Sequence, residues 1–123
     1  MTLDPLAGQR ILIVEDETLI AMEIESVLTT LGCEIVGPVA KLETALRMAR
    51  EEALDAAILD VNIRGGRVFP VAEILLERGV PFLLASGYGD WALPETLRGQ
   101  PRLTKPFTSE AVESGIRTIC RPR

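Results

Sequence analysis

Polar residues that could bind a metal ion and a phosphoryl group follow four apolar runs of the sequence. Glu15 and Asp16 follow the first run, Asp60 and Ser86 end two later runs, and Lys105 follows a short last one. Carboxylates without histidine or cysteine suit Mg²⁺, a lysine ammonium suits a phosphoryl group, and an aspartate can accept that group covalently. If the runs are parallel strands, these side chains meet at one sheet edge. The pattern therefore predicts Mg²⁺-assisted phosphoryl chemistry there.

The elements that must position these residues alternate between strands and helices. Continuous apolar runs predict buried strands at 10–14, 34–37, 56–60, 80–85 and 103–104. Apolar stripes predict amphipathic helices at 20–31, 42–49, 71–75 and 112–119. Gly32 and Gly79 are expected to end two helices, Pro70 to lie in a first turn, and the Gly- and Pro-rich stretch 87–101 to hold at most a short helix. Alternating strands and helices indicate an α/β fold with a parallel sheet.

Length and composition limit the alternatives. The 123 residues suit one domain, 1–123 with a core of about 10–120, and leave no room for an output domain. A net charge of −5 with interleaved signs disfavours nucleic-acid binding, and no apolar run is long enough to cross a membrane. The absence of histidine excludes histidine-dependent triads. Cys33 and Cys120 are expected to be small core residues of a protein in the reducing cytoplasm.

Each site feature also has an ordinary structural explanation when it is taken alone. Acidic residues after a strand often begin a helix, where they favour the macrodipole. Asp60 could cap a turn, and Ser86 could simply begin a loop. Only their joint order on alternating elements favours a shared function.

Four sequence blocks resemble those of response-regulator receiver domains, over about the whole chain from Arg10 to Ile119. The blocks are Val14-Glu15-Asp16-Glu17, Leu59-Asp60-Val61-Asn62, Ala85-Ser86-Gly87 and Lys105-Pro106-Phe107. The resemblance implies a flavodoxin-like, doubly wound sheet of five strands, (βα)5, in the order 2-1-3-4-5. It also implies a signalling domain of two-component systems that catalyses only its own phosphorylation and dephosphorylation.

The resemblance also assigns roles to individual residues. Asp60 would accept the phosphoryl group, and Glu15, Asp16 and Asp60 would hold Mg²⁺ with the backbone carbonyl of Asn62. Three other implied contacts are made to the phosphoryl group: a hydrogen bond from the Ser86 hydroxyl, a hydrogen bond from the Gly87 backbone amide, and a charge pair with Lys105. The resemblance also implies that the peptide bond before Pro106 is cis.

A narrower resemblance concerns the segment after the fourth strand. Leu84-Ala85-Ser86-Gly87-Tyr88-Gly89 is similar to the Phe-Ala-Thr-Gly-Tyr-Gly block of some single-domain bacterial receivers, with Leu84 for Phe and Ser86 for Thr. Many receivers carry an aromatic residue where this chain has Arg102. We therefore expect phosphorylation to change the order of residues 87–101, with Trp91 as a reporter, rather than to flip one ring. Tyr88 and Trp91 could also anchor a partner, although loop packing explains them equally well.

Two other functions compete with the receiver assignment. A haloacid-dehalogenase-like, Mg²⁺-dependent phosphatase orders similar residues, but it requires a second aspartate where this chain has Asn62 and an acidic pair after the lysine. A receiver-like binding module that takes no phosphate is the other alternative. The preferred interpretation implies a histidine kinase or phosphotransfer protein as phosphodonor and an unidentified protein as target, with no role for nucleic acid or membrane.

Overall fold

A computed structural model describes residues 4–87 and 93–120 and shows seven strands and four α-helices within them. The strands are β1 (Arg10–Val14), β2 (Glu34–Val39), β3 (Ala56–Asp60), β4 (Asn62–Ile63), β5 (Gly66–Arg67), β6 (Phe82–Ser86) and β7 (Arg102–Thr104). The helices are α1 (Thr18–Thr30), α2 (Leu42–Glu51), α3 (Phe69–Arg78) and α4 (Ser109–Ile119), with a 3-10 helix at Glu95–Leu97. No helix of the described residues is long and apolar enough to span a membrane.

Five strands form one parallel sheet in the order β2-β1-β3-β6-β7. Numbered within this sheet alone, the order is 2-1-3-4-5, as predicted. The central strands β1 and β3 are apolar and buried on both faces, as parallel strands between two helical layers must be. This confirms the doubly wound α/β fold and makes the carboxyl edge of the sheet the place for a site.

The sheet separates two hydrophobic clusters, because side chains alternate between its faces along each strand. One cluster joins Leu12 and Val14 to α2, α3 and the 3-10 helix, whose Leu97 is fully buried. The other joins Ile11 and Ile13 to α1 and α4. Since both faces are covered, the strands are fixed in register, and the residues that follow them are held in place from below.

The predicted helix ends agree with the structure. Gly79 follows α3 with φ 71°, and its backbone amide donates to Leu76 O, as in a left-handed C-terminal cap. Pro70 lies in the first turn of α3, where no helical hydrogen bond from its nitrogen is needed. Gly32, with φ 84°, follows the end of α1, where the Cys33 amide donates to Leu28 O at 3.0 Å.

Several boundaries differ from the prediction, most clearly those of β2 and β6. β2 continues through Gly37 and Pro38 to Val39, whereas the apolar pattern predicted its end at Gly37. An edge strand tolerates a proline, and the pairing register of β1 with β2 shifts at this point. Gly37 has φ 101°, and a Cβ atom there would lie 2.9 Å from Ile13 O, so this close approach requires glycine. β6 begins at Phe82, two residues later than predicted.

A short antiparallel hairpin of β4 and β5 was not predicted. Asn62 pairs with Arg67 and Ile63 pairs with Gly66 across it. Its turn also contacts the start of α2, since the Leu42 amide donates to Arg64 O at 2.8 Å and Lys41 forms an isolated bridge with Arg64. The hairpin therefore extends the carboxyl edge of the sheet directly beyond Asp60.

A turn at the N-terminus covers the α1–α4 side of the molecule. Leu6 is buried there, and the Gly8 amide donates to Gly32 O at 2.8 Å. The Cys33 thiol donates to Leu6 O at 3.6 Å. Cys33 and Cys120 are both free and buried in the same cluster, which confirms that they are core residues.

Candidate phosphoacceptor site

Three of the predicted site residues meet at the carboxyl edge of the sheet. Glu15 follows β1, Asp60 ends β3, and Lys105 follows β7, so one central strand lies directly below each carboxylate. Glu15 is 3% exposed and Asp60 is 5% exposed. Charged groups are rarely buried to this extent unless they are paired or bind an ion.

Lys105 is the cation that holds this cluster together. Its Nζ lies 3.2 Å from Glu15 Oε1 and 3.3 Å from Asp60 Oδ2. The exposed carboxylate of Glu17 lies farther away, with Oε1 at 3.6 Å from Nζ. Burial by itself lowers the pKa of Lys105, but the negative charges of Asp60 and Glu15 outweigh it and hold that pKa above its ordinary value. The ammonium is therefore charged at all physiological pH values.

One lysine does not supply enough positive charge for the buried carboxylates. Burial, and next the neighbouring Asp60, raise the pKa of Glu15 from its ordinary 4.5 to about 7, although the Glu17 amide and Lys105 act in the opposite direction. Glu15 Oε2 accepts a hydrogen bond from the Glu17 amide at 3.1 Å. Glu15 Oε1 is buried and accepts no well-directed hydrogen bond from the described residues. This oxygen is available to a further cation.

The donor set fits a hard divalent cation. Glu15, Asp16 and Asp60 each offer one carboxylate oxygen, and these oxygens all lie within 4.8 Å of one another. Asp16 is partly exposed, so the group opens to solvent on its side. Oxygen-only ligands at a solvent-accessible edge are what Mg²⁺ requires, because it keeps several water ligands. The cluster could therefore hold such an ion.

The other predicted site residues lie around this group. The Asn62 amide donates to Asp60 Oδ1 at 3.2 Å, which fixes the Asp60 carboxylate and the start of the hairpin together. Ser86 ends β6, pairs with Thr104, and accepts a hydrogen bond from the Lys105 amide at 2.8 Å through its carbonyl oxygen. Gly87 follows as an exposed residue, and the Lys105–Pro106 peptide bond is cis.

The sequence also drew attention to Arg102, Tyr88 and Trp91, and one contact of the site was not predicted. Arg102 begins β7 beside Leu84 and is exposed. Tyr88 and Trp91 lie outside the described residues, so their predicted roles stay predictions. The contact of Glu17 with Lys105 was missed, although an acidic residue directly after Asp16 was a visible signal.

Comparisons with known proteins agree with this arrangement. The family described as the response regulator receiver domain matches residues 11–116. The chain is 31% identical to the transcriptional regulatory protein PdtaR of Mycobacterium tuberculosis over 109 residues, which are 85% of this chain and 53% of the relative. The chain thus spans about half the length of that curated relative.

Two solved structures are similar along almost all of the chain. SdrG from Sphingomonas melonis Fr1 has a TM-score of 0.77 and 43% identity, with 95% of this chain and 97% of SdrG covered. The receiver domain of the sensor histidine kinase PA1611 of Pseudomonas aeruginosa PAO1 has a TM-score of 0.76 and 25% identity, with 92% and 98% covered. That structure has a magnesium ion coordinated in its active-site cleft. By its sequence, its sheet and its site, the chain belongs to the response-regulator receiver family.

Proposed function

We propose that this protein is a phosphorylation switch in which Asp60 accepts a phosphoryl group from the phosphohistidine of a kinase or phosphotransfer protein. The observation that carries the proposal is the buried group of Glu15, Asp60 and Lys105, in which Glu15 Oε1 lacks a well-directed hydrogen bond among the described residues. A structural cluster would be stabler with its charges matched. A group short of positive charge suits the arrival of a cation and a reacting phosphoryl group.

The reaction uses residues that the strands hold in place. An Asp60 carboxylate oxygen attacks phosphorus, the O–P bond forms as the N–P bond breaks, and the electron pair of that bond stays on the departing imidazole. Lys105, which pairs with Asp60 Oδ2 at rest, then pairs with a phosphoryl oxygen. The Ser86 hydroxyl and the Gly87 amide are proposed to donate to the other phosphoryl oxygens.

Mg²⁺ fits the acidic part of the site. Glu15, Asp16, Asp60 and the Asn62 carbonyl would hold it, and when bound it would offset the negative charge of the transferring group. The residues of the chain have the complementary task of holding two buried carboxylates in a fixed orientation. The Asn62 amide on Asp60 and the Glu17 amide on Glu15 do this from the backbone.

The output of the switch is proposed to be a change of protein contacts or onward transfer of phosphate, made by residues 1–123 as a single receiver unit in the cytoplasm. Ser86 joins the site to the stretch 87–101, so that stretch is the proposed route. Within this stretch, Leu93 and Leu97 are buried and act as anchors. The proposed change of order therefore concerns the other residues of the stretch.

The phosphatase alternative is not favoured by the site. Asn62 occupies the position where that reaction needs a second aspartate as proton donor, and its side chain is exposed. An amide cannot transfer a proton to a leaving alcohol. Turnover of a generic phosphate ester would reveal such an activity, and we expect none.

Substitution of the acceptor tests the proposal. Asp60→Asn keeps the size of the side chain and removes its nucleophilic charge, so it should abolish phosphoryl uptake while the protein stays folded. Intact-mass measurement after incubation with acetyl phosphate and Mg²⁺ should show one added phosphoryl group in the wild type and none in the variant. Equal labelling of both proteins would contradict the assignment of Asp60.

A further inference from the structure

Glu17 directly follows the acidic pair and contacts the buried cluster in two ways. Its backbone amide donates to Glu15 Oε2 at 3.1 Å. Its carboxylate lies next to Lys105, with Oε1 at 3.6 Å from Nζ. Its carbonyl oxygen accepts a hydrogen bond from the Ala21 amide at 2.9 Å, at the start of α1. The backbone of Glu17 is therefore held on both sides, and its side chain starts from a fixed point beside the cluster.

The position of Glu17 also has an ordinary structural explanation. Glu17 is the N-cap residue of α1, and a negative charge there favours the helix dipole. However, N-cap side chains stabilise a helix mainly by accepting a hydrogen bond from a backbone amide of the first turn. The Glu17 side chain forms no such bond, and its Oε1 contacts Lys105 instead. The contacts of this side chain are thus made to the cluster and not to the helix end.

The three carboxylates around Lys105 differ in how easily they can be released. The side chains of Glu15 and Asp60 are 1% and 6% exposed, whereas that of Glu17 is 63% exposed. A buried carboxylate that loses its cation is left uncompensated, but water replaces the cation at an exposed carboxylate. Asp60 and Glu15 are also the groups that hold the pKa of Lys105 above its ordinary value. Glu17 is therefore the partner that Lys105 can lose at the least cost.

A phosphoryl group arriving at Asp60 would need such a replaceable partner. An ammonium has three N–H donors, and three carboxylates of the described residues lie within 3.6 Å of the Lys105 nitrogen. A phosphoryl oxygen that pairs with Lys105 therefore competes with one of them. While the group approaches, Asp60 is still a carboxylate and Glu15 stays buried. The contact with Glu17 is then the one that breaks.

We propose that Glu17 is a positioning residue that holds Lys105 in place at rest and is displaced by the incoming phosphoryl group. Because the group must compete with Glu17 for the ammonium, this carboxylate lowers the affinity of the site for a phosphoryl group and slows its uptake. Glu17 thereby sets how readily the switch turns on. The inference rests on the proposed function, since it needs Asp60 to be the acceptor and Lys105 to pair with the phosphoryl group.

Three single substitutions separate the contact of Glu17 from its charge. Glu17→Gln removes the charge. Glu17→Asp keeps the charge but shortens the side chain by one methylene, and an aspartate at an N-cap turns to the helix amides, so the contact with Lys105 is lost. Glu23→Gln is the control, because it removes one exposed carboxylate from α1 and leaves the same net charge as Glu17→Gln.

Two measurements are made on each folded variant at saturating Mg²⁺. Amide NMR spectra give the affinity for beryllofluoride, an analogue of the phosphoryl group, and intact mass gives the rate of labelling by acetyl phosphate. Glu17→Gln should bind beryllofluoride about twofold to fivefold more tightly than the control, the range of one exposed ion pair, and should take label faster. Glu17→Asp should show most of the same gain.

The other outcomes contradict the inference in different ways. A gain in Glu17→Gln with Glu17→Asp equal to the wild type would show simple charge repulsion and would overturn the role of the contact. A changed melting temperature with unchanged beryllofluoride affinity would leave Glu17 a helix N-cap only. In both cases labelling of the wild type would still support Asp60. If the wild type takes no label and Asp60→Asn behaves identically, the proposed function fails, and this inference fails with it.

Discussion

The Arg117 cluster and the Lys105 cluster each join one cation to several carboxylates, and they differ in burial. At the surface, Arg117 of α4 contacts Asp4 with its Nη2 2.6 Å from Oδ2, and Glu113 with its Nε 3.0 Å from Oε2. At the sheet edge, Lys105 contacts Glu15, Asp60 and Glu17 at 3.2, 3.3 and 3.6 Å. The Arg117 side chain is 41% exposed, whereas that of Glu15 is 1% exposed.

At the sheet edge, burial outweighs the effect of the cation on the pKa of its carboxylate. The hydrogen bond from Arg117, helped by the Leu6 amide, holds the pKa of Asp4 below its ordinary value. Lys105 does not achieve this for Glu15, because desolvation and Asp60 raise that pKa to about 7. A satisfied surface pair adds little to stability, and an undercharged buried group lowers it unless more positive charge arrives. A structural ion pair is therefore satisfied by its own cation, whereas a site that can accept a ligand is short of positive charge.

The largest expected effect follows the removal of the buried cation. Lys105→Met keeps the length of the side chain and leaves Glu15 and Asp60 without their ammonium, so we expect a loss of about 3–5 kcal/mol in the free energy of unfolding at pH 8 in chelator. Urea denaturation measures it. Arg117→Met, the matched surface variant, should shift the midpoint far less. Equal shifts for the two variants would show that burial does not distinguish the clusters.

Mg²⁺ should stabilise the protein through the buried cluster and not through the surface cluster. Mg²⁺ binds folded carboxylates, so a concentration tenfold above its Kd should raise the free energy of unfolding by about 1.4 kcal/mol. Asp16→Asn should weaken this gain, whereas Asp4→Asn at the surface cluster should leave it intact. Titration of the melting temperature with Mg²⁺ tests both variants, and an unchanged response in Asp16→Asn would remove that residue from the metal site.

The third effect concerns pH. Since the pKa of Glu15 is higher in the folded protein than its ordinary 4.5, the folded state binds more protons than the unfolded chain between about pH 4.5 and 7. Stability in chelator should therefore fall as the pH rises through this window and then level off. Glu15→Gln should flatten this part of the profile, while saturating Mg²⁺ should reduce the fall. A wild-type profile that rises across the window would contradict the assignment.

The sequence predicted the parts of the site that depend on strand ends. Short continuous apolar runs that alternate with helical patterns, such as Ile11–Val14, are typical of strands covered on both faces, and the residue after such a strand lies at the sheet edge. Glu15, Asp60 and Lys105 could be brought together on this basis alone.

The features that depend on long-range contacts could not be predicted in this way. The hairpin was missed because Gly65 and Gly66 indicate only a turn, while its position depends on Leu42 and Arg64, which are distant in sequence. The exposure of Arg64 and Arg67, and the elevated pKa of Glu15, follow from packing around them, which composition does not reveal.

The N-terminal turn covers a buried thiol, so chemical modification of that thiol can report when the turn opens. Burial raises the pKa of the Cys120 thiol to about 11 and that of Cys33 above its ordinary value, so neither forms a reactive thiolate while Leu6 covers this side. A thiol reagent can reach Cys33 only when the Leu6–Cys33 contact breaks. When the reagent reacts faster than the contact recloses, the rate of modification equals the rate of opening, so this chain reports local unfolding at the α1–α4 face without any added label.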